Sequence, residues 1–147
     1  MKLSTRTRYG TRAMLDLALH PPEVPRSTKE IADQQEVSFK YLESLLATLR
    51  QAGLLRSVRG AAGGHLLAKE PRQITLWEIF EALEGTEPLV PCTAEPDACP
   101  RVNACVTREV WSEVQAACHQ VLESITLQDL VERAKARQQT NAGMYYI

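Results

Sequence analysis

The chain has 147 residues, 44% of them apolar, enough for one ordinary domain with its own core and apolar enough to set disorder aside. No apolar run nears the roughly 18 residues of a membrane span, and the opening MKLSTRTRYG lacks the apolar stretch of a secretory signal, so the expected compartment is the cytoplasm, with no membrane partner. The net charge of −1 conceals an asymmetry: residues 1–75 carry 12 Lys/Arg against 7 Asp/Glu and residues 76–147 carry 5 against 11, so the first half suits a polyanion and the second does not.

Thr7 to His20 reads as a helix, with Tyr9, Ala13, Leu17 and His20 near one face and Met14 and Leu15 beside them. PPEVP at 21–25 ends it. Ser27 and Glu30 form a capping box that opens a short helix to about Gln35. Val37 leads to Ser38, a second N-cap, and a helix over about 39–52 with Leu42, Leu45, Leu46 and Leu49 at 3/4 spacing, stopped by Gly53. Leu54–Val58 and His65–Ala68 flank a glycine-bearing tip and predict a β-hairpin. Thr75 and Glu78 cap a further helix through about Glu84, ended by Gly85.

CTAEPDACPRVNAC, residues 92–105, then gathers three of the four cysteines in a stretch broken by Pro96 and Pro100 and free of leucine, isoleucine and aromatic residues. Cytoplasmic thiols are reduced, so clustered cysteines point to metal or redox chemistry. Beyond them, Val106, Val110, Trp111, Val114, Ala117, Cys118, Val121, Leu122 and Ile125 recur near 3.5 residues, the seam of two packed helices. Leu127, Leu130 and Val131 continue the stripe after a break near Thr126, and a polar tail runs from about Lys135 to MYYI. The expected organisation is a winged helix-turn-helix head over 1–85, a cysteine loop over 86–105, dimerisation helices over 106–134 and a tail over 135–147 that is either disordered or packed on a partner.

Two short helices with a tight connection, followed by a hairpin, make a winged helix-turn-helix: a mainly α fold with a small β wing and a long dimerisation helix. The helix after Ser38 presents Ser38, Phe39, Lys40, Tyr41 and Glu43 in its first turns, the part that enters a major groove. Hydroxyls and the Lys40 ammonium suit phosphates, while the Glu43 carboxylate is tolerated there if it accepts from a cytosine amino group. At the hairpin tip Arg59 precedes GAAGG, where Gly60 allows close backbone approach and the guanidinium reaches a narrow minor groove. Glu43 is equally compatible with a solvent-facing helix position, and Arg59 with an exposed residue on an ordinary hairpin. A symmetric helix pair places two recognition helices about one DNA turn or more apart, so the expected partners are a second copy and double-stranded DNA with a near-palindromic operator.

MKLSTRTRYGTRAMLDLAL, SFKYLESLLATLRQAGLLRSVRGAAGGHLLA, ITLWEIFEALEG and SITLQDLV together resemble the IscR/NsrR-type winged-helix regulators, the Rrf-two family, over about residues 1–133. The resemblance implies a homodimeric DNA-binding transcription factor, with Ser38, Tyr41 and Glu43 on the recognition helix and Arg59 in the minor groove. It also implies an iron–sulfur cluster held by Cys92, Cys99 and Cys105. The likeness is greatest to regulators of cluster assembly, through the first helix and TREVWSEV.

By spacing alone, Cys92-x6-Cys99-x5-Cys105 does not match the close pairs of zinc sites. A loop with few apolar side chains cannot order itself by burial, and thiolates closing on one inorganic centre would order it; a metal-free or disulfide-switching loop is the alternative. The family's histidine ligand, three residues past the third cysteine, is here Arg108, and the first-helix ligand positions of other members are Arg8 and Arg12. Three thiolates suffice for three corners of a 4Fe–4S cubane, the favoured form; a 2Fe–2S rhomb needs a fourth protein ligand, for which Glu109 is nearest, with Asp97 and Glu95 behind it. Cys118 lies thirteen helical residues, about 20 Å, from Cys105 and is expected to fill the apolar stripe, with His119 solvated or at the dimer contact. His20, His65 and His119 are scattered and no acid/base pair or phosphate loop is present, so an enzyme is not expected. The competing reading is a winged-helix regulator without a cluster, controlled by thiol oxidation or by a protein partner.

Overall fold

The computed structural model describes residues 3–143. Helix α1 spans Thr5–Leu19, two residues earlier than the apolar spacing predicts, because Ser4 caps it by accepting from the Arg6 N–H at 3.1 Å. Ala13, Met14 and Leu17 are buried, and Tyr9 and Leu15 lie half-buried against them. The helix stops at His20, whose backbone N–H turns back to the Leu17 carbonyl. Helix α2 is Thr28–Gln35, with the Ser27–Glu30 capping box formed. The turn that follows places Glu36 at φ 54°, in the left-handed region that a β-carbon disfavours.

Helix α3 covers Phe39–Gln51 behind the Ser38 N-cap. Its four leucines at 42, 45, 46 and 49 are fully buried and form the centre of the head, together with Met14, Ile31, Ile74 and Ile79. Gly53 at φ 75° turns the chain into strand β1, Leu55–Val58, which pairs antiparallel with β2, Gly64–Leu67, in the register Leu55 to Leu67 and Val58 to Gly64. Helix α4 is Leu76–Glu84, opened by the Thr75–Glu78 capping box and closed by Gly85.

Residues 86–105 contain three short 3-10 turns, Pro91–Thr93, Pro96–Ala98 and Val102–Ala104, the first two begun by a proline. They lead into α5, Val106–Glu123, in which no residue is buried. Val106, Val110, Trp111, Val114 and Val121 are exposed along it. Helix α6 runs Leu127–Gly143, so helix continues well past Lys135, where the sequence pattern sets the start of a tail; MYYI, residues 144–147, lies outside the described residues.

Leu127 and Val131 do not extend the α5 stripe. They are 0% and 3% exposed inside the head core. The reason is a backbone bridge: the Leu76 N–H donates to the Ile125 carbonyl at 2.9 Å and the Leu127 N–H to the Ile74 carbonyl at 2.8 Å. Two capped helix starts, those of α4 and α6, are thereby zipped side by side, and α6 lies on α1. Among the described residues, helix α5 alone of the helices is left outside the core, touching α4 and the cysteine loop. Among the described residues no helix is long and apolar enough to cross a membrane.

Candidate nucleic-acid interface and cysteine loop

With its leucines turned inward, α3 leaves Ser38, Phe39, Lys40 and Glu43 exposed. Ser38 Oγ accepts from the Tyr41 N–H at 3.3 Å, fixing the first turn while its own hydroxyl proton stays available for a phosphate. Tyr41 differs from its neighbours. Its ring meets Tyr9 edge-on at 6.1 Å, and its hydroxyl donates to Thr5 Oγ1 at 3.2 Å. The Arg12 guanidinium sits 5.4 Å over the Tyr9 ring. Tyr41 is therefore half-buried, and what it offers a ligand is a hydroxyl paired with that of Thr5 at the start of α1. As site residues, Thr5 and Tyr9 escape sequence reasoning because their contacts with Tyr41, 36 and 32 residues away, leave no local pattern.

Arg59 and Gly60 lie exposed at the wing tip, as the sequence predicts for that position, with Gly60 at φ 112° and its carbonyl accepting from the Gly63 N–H at 3.0 Å. The base of the wing is locked on two sides. Arg50 of α3 donates to Ser57 Oγ at 3.3 Å. On the other side Arg26 and His65 exchange backbone hydrogen bonds at 3.1 and 2.8 Å, and His65 Nε2 lies 3.0 Å from Thr28 Oγ1. Gly64 is required there: a β-carbon on it falls 2.4 Å from the Arg26 carbonyl oxygen. Arg26 in turn reaches Asp16 Oδ2 of α1 at 3.3 Å and Gln34 at 2.8 Å. Asp16 is only 2% exposed, so its carboxylate depends on that guanidinium. Burial, reinforced by the Arg50 charge, holds His65 below its ordinary pKa.

In the loop, Cys92, Cys99 and Cys105 are all half-buried and not disulfide-bonded. Cys105 stands at the N-cap of α5, with Sγ 3.2 Å from Thr107 Oγ1. The Thr107 hydroxyl, then the Arg108 backbone N–H, hold its thiol below the ordinary range, favouring the thiolate. Arg108 donates from Nε to the Cys92 carbonyl at 2.7 Å, and Gln115 accepts from the Leu89 N–H and the Thr93 hydroxyl at 3.2 and 3.3 Å. Helix α5 thus holds the loop by polar contacts rather than by burial. Glu109 is exposed in the first turn of α5, and Asp97 and Glu95 are exposed in the loop. Cys118 is half-buried beside a small apolar pocket shared with Trp77, Phe80 and Leu122, while His119, exposed, sets its ring 4.2 Å from Trp77 of α4.

By its chemistry the donor set suits a thiolate-bound iron–sulfur group: three thiols in one loop, one of them biased to thiolate. Among the described residues, no group of three or more His, Cys, Asp or Glu stands together in a metal-holding arrangement.

The helix pair α2–α3, the hairpin and the exposed first turn of α3 define a winged helix-turn-helix DNA-binding protein. A family model described as "Rrf2: Iron-dependent Transcriptional regulator" matches residues 3–133, and the chain belongs to that family. It is similar to Protein rrf2 of Nitratidesulfovibrio vulgaris, 46% identical over 134 residues that cover 91% of this chain and 89% of the relative. Among solved structures it resembles T. potens IscR, with a TM-score of 0.79, 43% identity and coverage of 99% of this chain and 97% of that one. It also resembles CymR (YrzC), described as the global cysteine regulator of B. subtilis, with a TM-score of 0.76, 41% identity and coverage of 90% and 98%. The relatives are transcriptional regulators and not enzymes.

Proposed function

We propose that the chain works as a homodimer on a near-palindromic operator and that loop 86–105 is its sensing element, holding an iron–sulfur cluster through Cys92, Cys99 and Cys105. The observation that carries this reading is the position of α5. Among the described residues it is the one long helix outside the head core, it bears an uncovered apolar row, and its first turn holds the cysteine loop. A change in loop shape is then delivered at the helix that sets the distance between two heads. For this to regulate, the two loop states must differ in DNA affinity.

On DNA, the Ser38, Tyr41 and Lys40 side chains suit phosphates, Glu43 a cytosine amino group, and Arg59 with Gly60 the minor groove. Arg59→Ala weakens binding to A·T-flanked sites. Glu43→Ala relaxes sequence preference, and an unchanged preference in a randomised-site selection removes its readout role.

The 4Fe–4S form is the proposed cluster, because the side chain at the expected fourth position, Arg108, is a cation engaged with the Cys92 carbonyl. A 2Fe–2S form with Glu109 is the alternative. A second reading, control by thiol oxidation without a cluster, is favoured by the likeness to a cysteine regulator. Anaerobic purification with iron and sulfide quantified per chain separates the three, at about four, about two or no iron atoms. Mössbauer spectra of wild type and Glu109→Ala then test the fourth ligand.

A further inference from the structure

Phe39 is the first residue of α3 and is 50% exposed, while the other large apolar residues of that helix, Leu42, Leu45, Leu46 and Leu49, are fully buried. A single exposed apolar residue is ordinary on a protein surface. Its place makes it informative. It lies on the first turn of the helix that carries Glu43, next in sequence to Lys40, and residues four apart on a helix are neighbours on one face. Side chains on a helix lean toward its N-terminus, so a side chain of the first turn extends beyond the helix end. In a helix that enters the major groove N-terminus first, that is the direction of the base edges.

Among the groups the four base pairs present in the major groove, the apolar one is the C5-methyl of thymine. A half-exposed phenyl ring matches that chemistry and no other on the groove floor, since it neither donates nor accepts a strong hydrogen bond. We propose that Phe39 is a specificity-determining residue that covers a thymine methyl beside the base read by Glu43. The inference rests on the reading of α3 as the groove-entering helix. The β-carbons of residues four apart are about 6 Å from each other, and bases on one strand rise about 3.4 Å per step. The preferred half-site therefore carries a thymine within one or two steps of a cytosine.

The full chain is used for the test, first in a randomised-site selection to obtain its operator. Each thymine of the half-site is then replaced in turn by deoxyuridine, which removes the methyl and leaves the pairing and groove hydrogen bonds unchanged. Wild type is expected to lose about fourfold in affinity at one thymine near the cytosine, the worth of one buried methyl. Phe39→Ala is expected to bind the thymine and uracil operators equally, and Phe39→Leu to keep part of the difference. Circular dichroism of both variants checks that the head is folded. A wild type indifferent to every methyl, or a Phe39→Ala protein with the wild-type thymine preference, overturns the assignment while leaving α3 as the reading helix. Wild type that selects no sequence overturns the reading of α3 as well.

Discussion

Arg108 Nε donates to the carbonyl oxygen of Cys92 across 2.7 Å, joining the first turn of α5 to the first 3-10 turn of the cysteine loop. Arg108 thus acts as a tie on the loop. Loss of one such hydrogen bond lowers the cost of opening by about 1 kcal/mol, a factor of roughly five. Alkylation of Cys92 in the metal-free protein, followed by mass spectrometry, should be faster by that factor in Arg108→Ala. An unchanged rate means the loop is held without this tie.

The exposed row of α5 makes the proposed assembly separable from folding. Val121 is 57% exposed and Val114 38%, so an aspartate at either position costs the isolated head little. In a helix pair the same charge is desolvated without a partner. Val121→Asp and Val114→Asp should sediment as monomers with unchanged far-ultraviolet circular dichroism. A dimer persisting at micromolar concentration places the interface elsewhere.

Asp16 and Arg26 form an ion pair whose side chains are 1% and 15% exposed. Removing the carboxylate leaves the Arg26 guanidinium largely buried beside α1, with Gln34 as its remaining side-chain acceptor among the described residues. Asp16→Ala should lose roughly 3 kcal/mol of unfolding free energy, read from urea denaturation. A loss under about 1 kcal/mol shows that water reaches the guanidinium and replaces the pair.

His65 carries a pH dependence of stability. Burial and the Arg50 charge place its folded pKa below the ordinary 6.5. Between that lowered value and 6.5 the unfolded chain binds a proton that the folded chain does not. Stability therefore rises with pH through this window and is level above it. Glu84 acts in a lower window: burial raises its carboxyl, but hydrogen bonds from Ser4 and Thr7 and the Arg6 charge outweigh burial and keep it below 4.5. The urea midpoint of wild type should fall from pH 7 toward about 5, and that of His65→Gln should fall less. Equal slopes assign the effect to other groups.

The sequence by itself determined helices α1 to α5 and the hairpin, since what begins and ends them is local, but not the length of α6. The capping boxes at Ser27–Glu30 and Thr75–Glu78 are both formed, and the four leucines of α3 sit inside at the predicted spacing. Ser38, Lys40, Glu43 and Arg59 were legible as exposed polar positions for the same reason: one face of an amphipathic helix and the tip of a hairpin have nowhere to go but solvent. Only the tertiary structure decided which apolar residues belong to which core. Leu127 and Val131 carry the same periodicity as the α5 row, yet the bridge between Thr75 and Thr126 pulls them into the head, and α5 is left as the uncovered helix. Tertiary contacts likewise turned Tyr41 toward Thr5 and Tyr9, gave Arg108 the Cys92 carbonyl, and set His65 against Thr28 and Arg26. Such contacts join residues 16 to 39 positions apart, and no rule of helix or strand periodicity reaches that far.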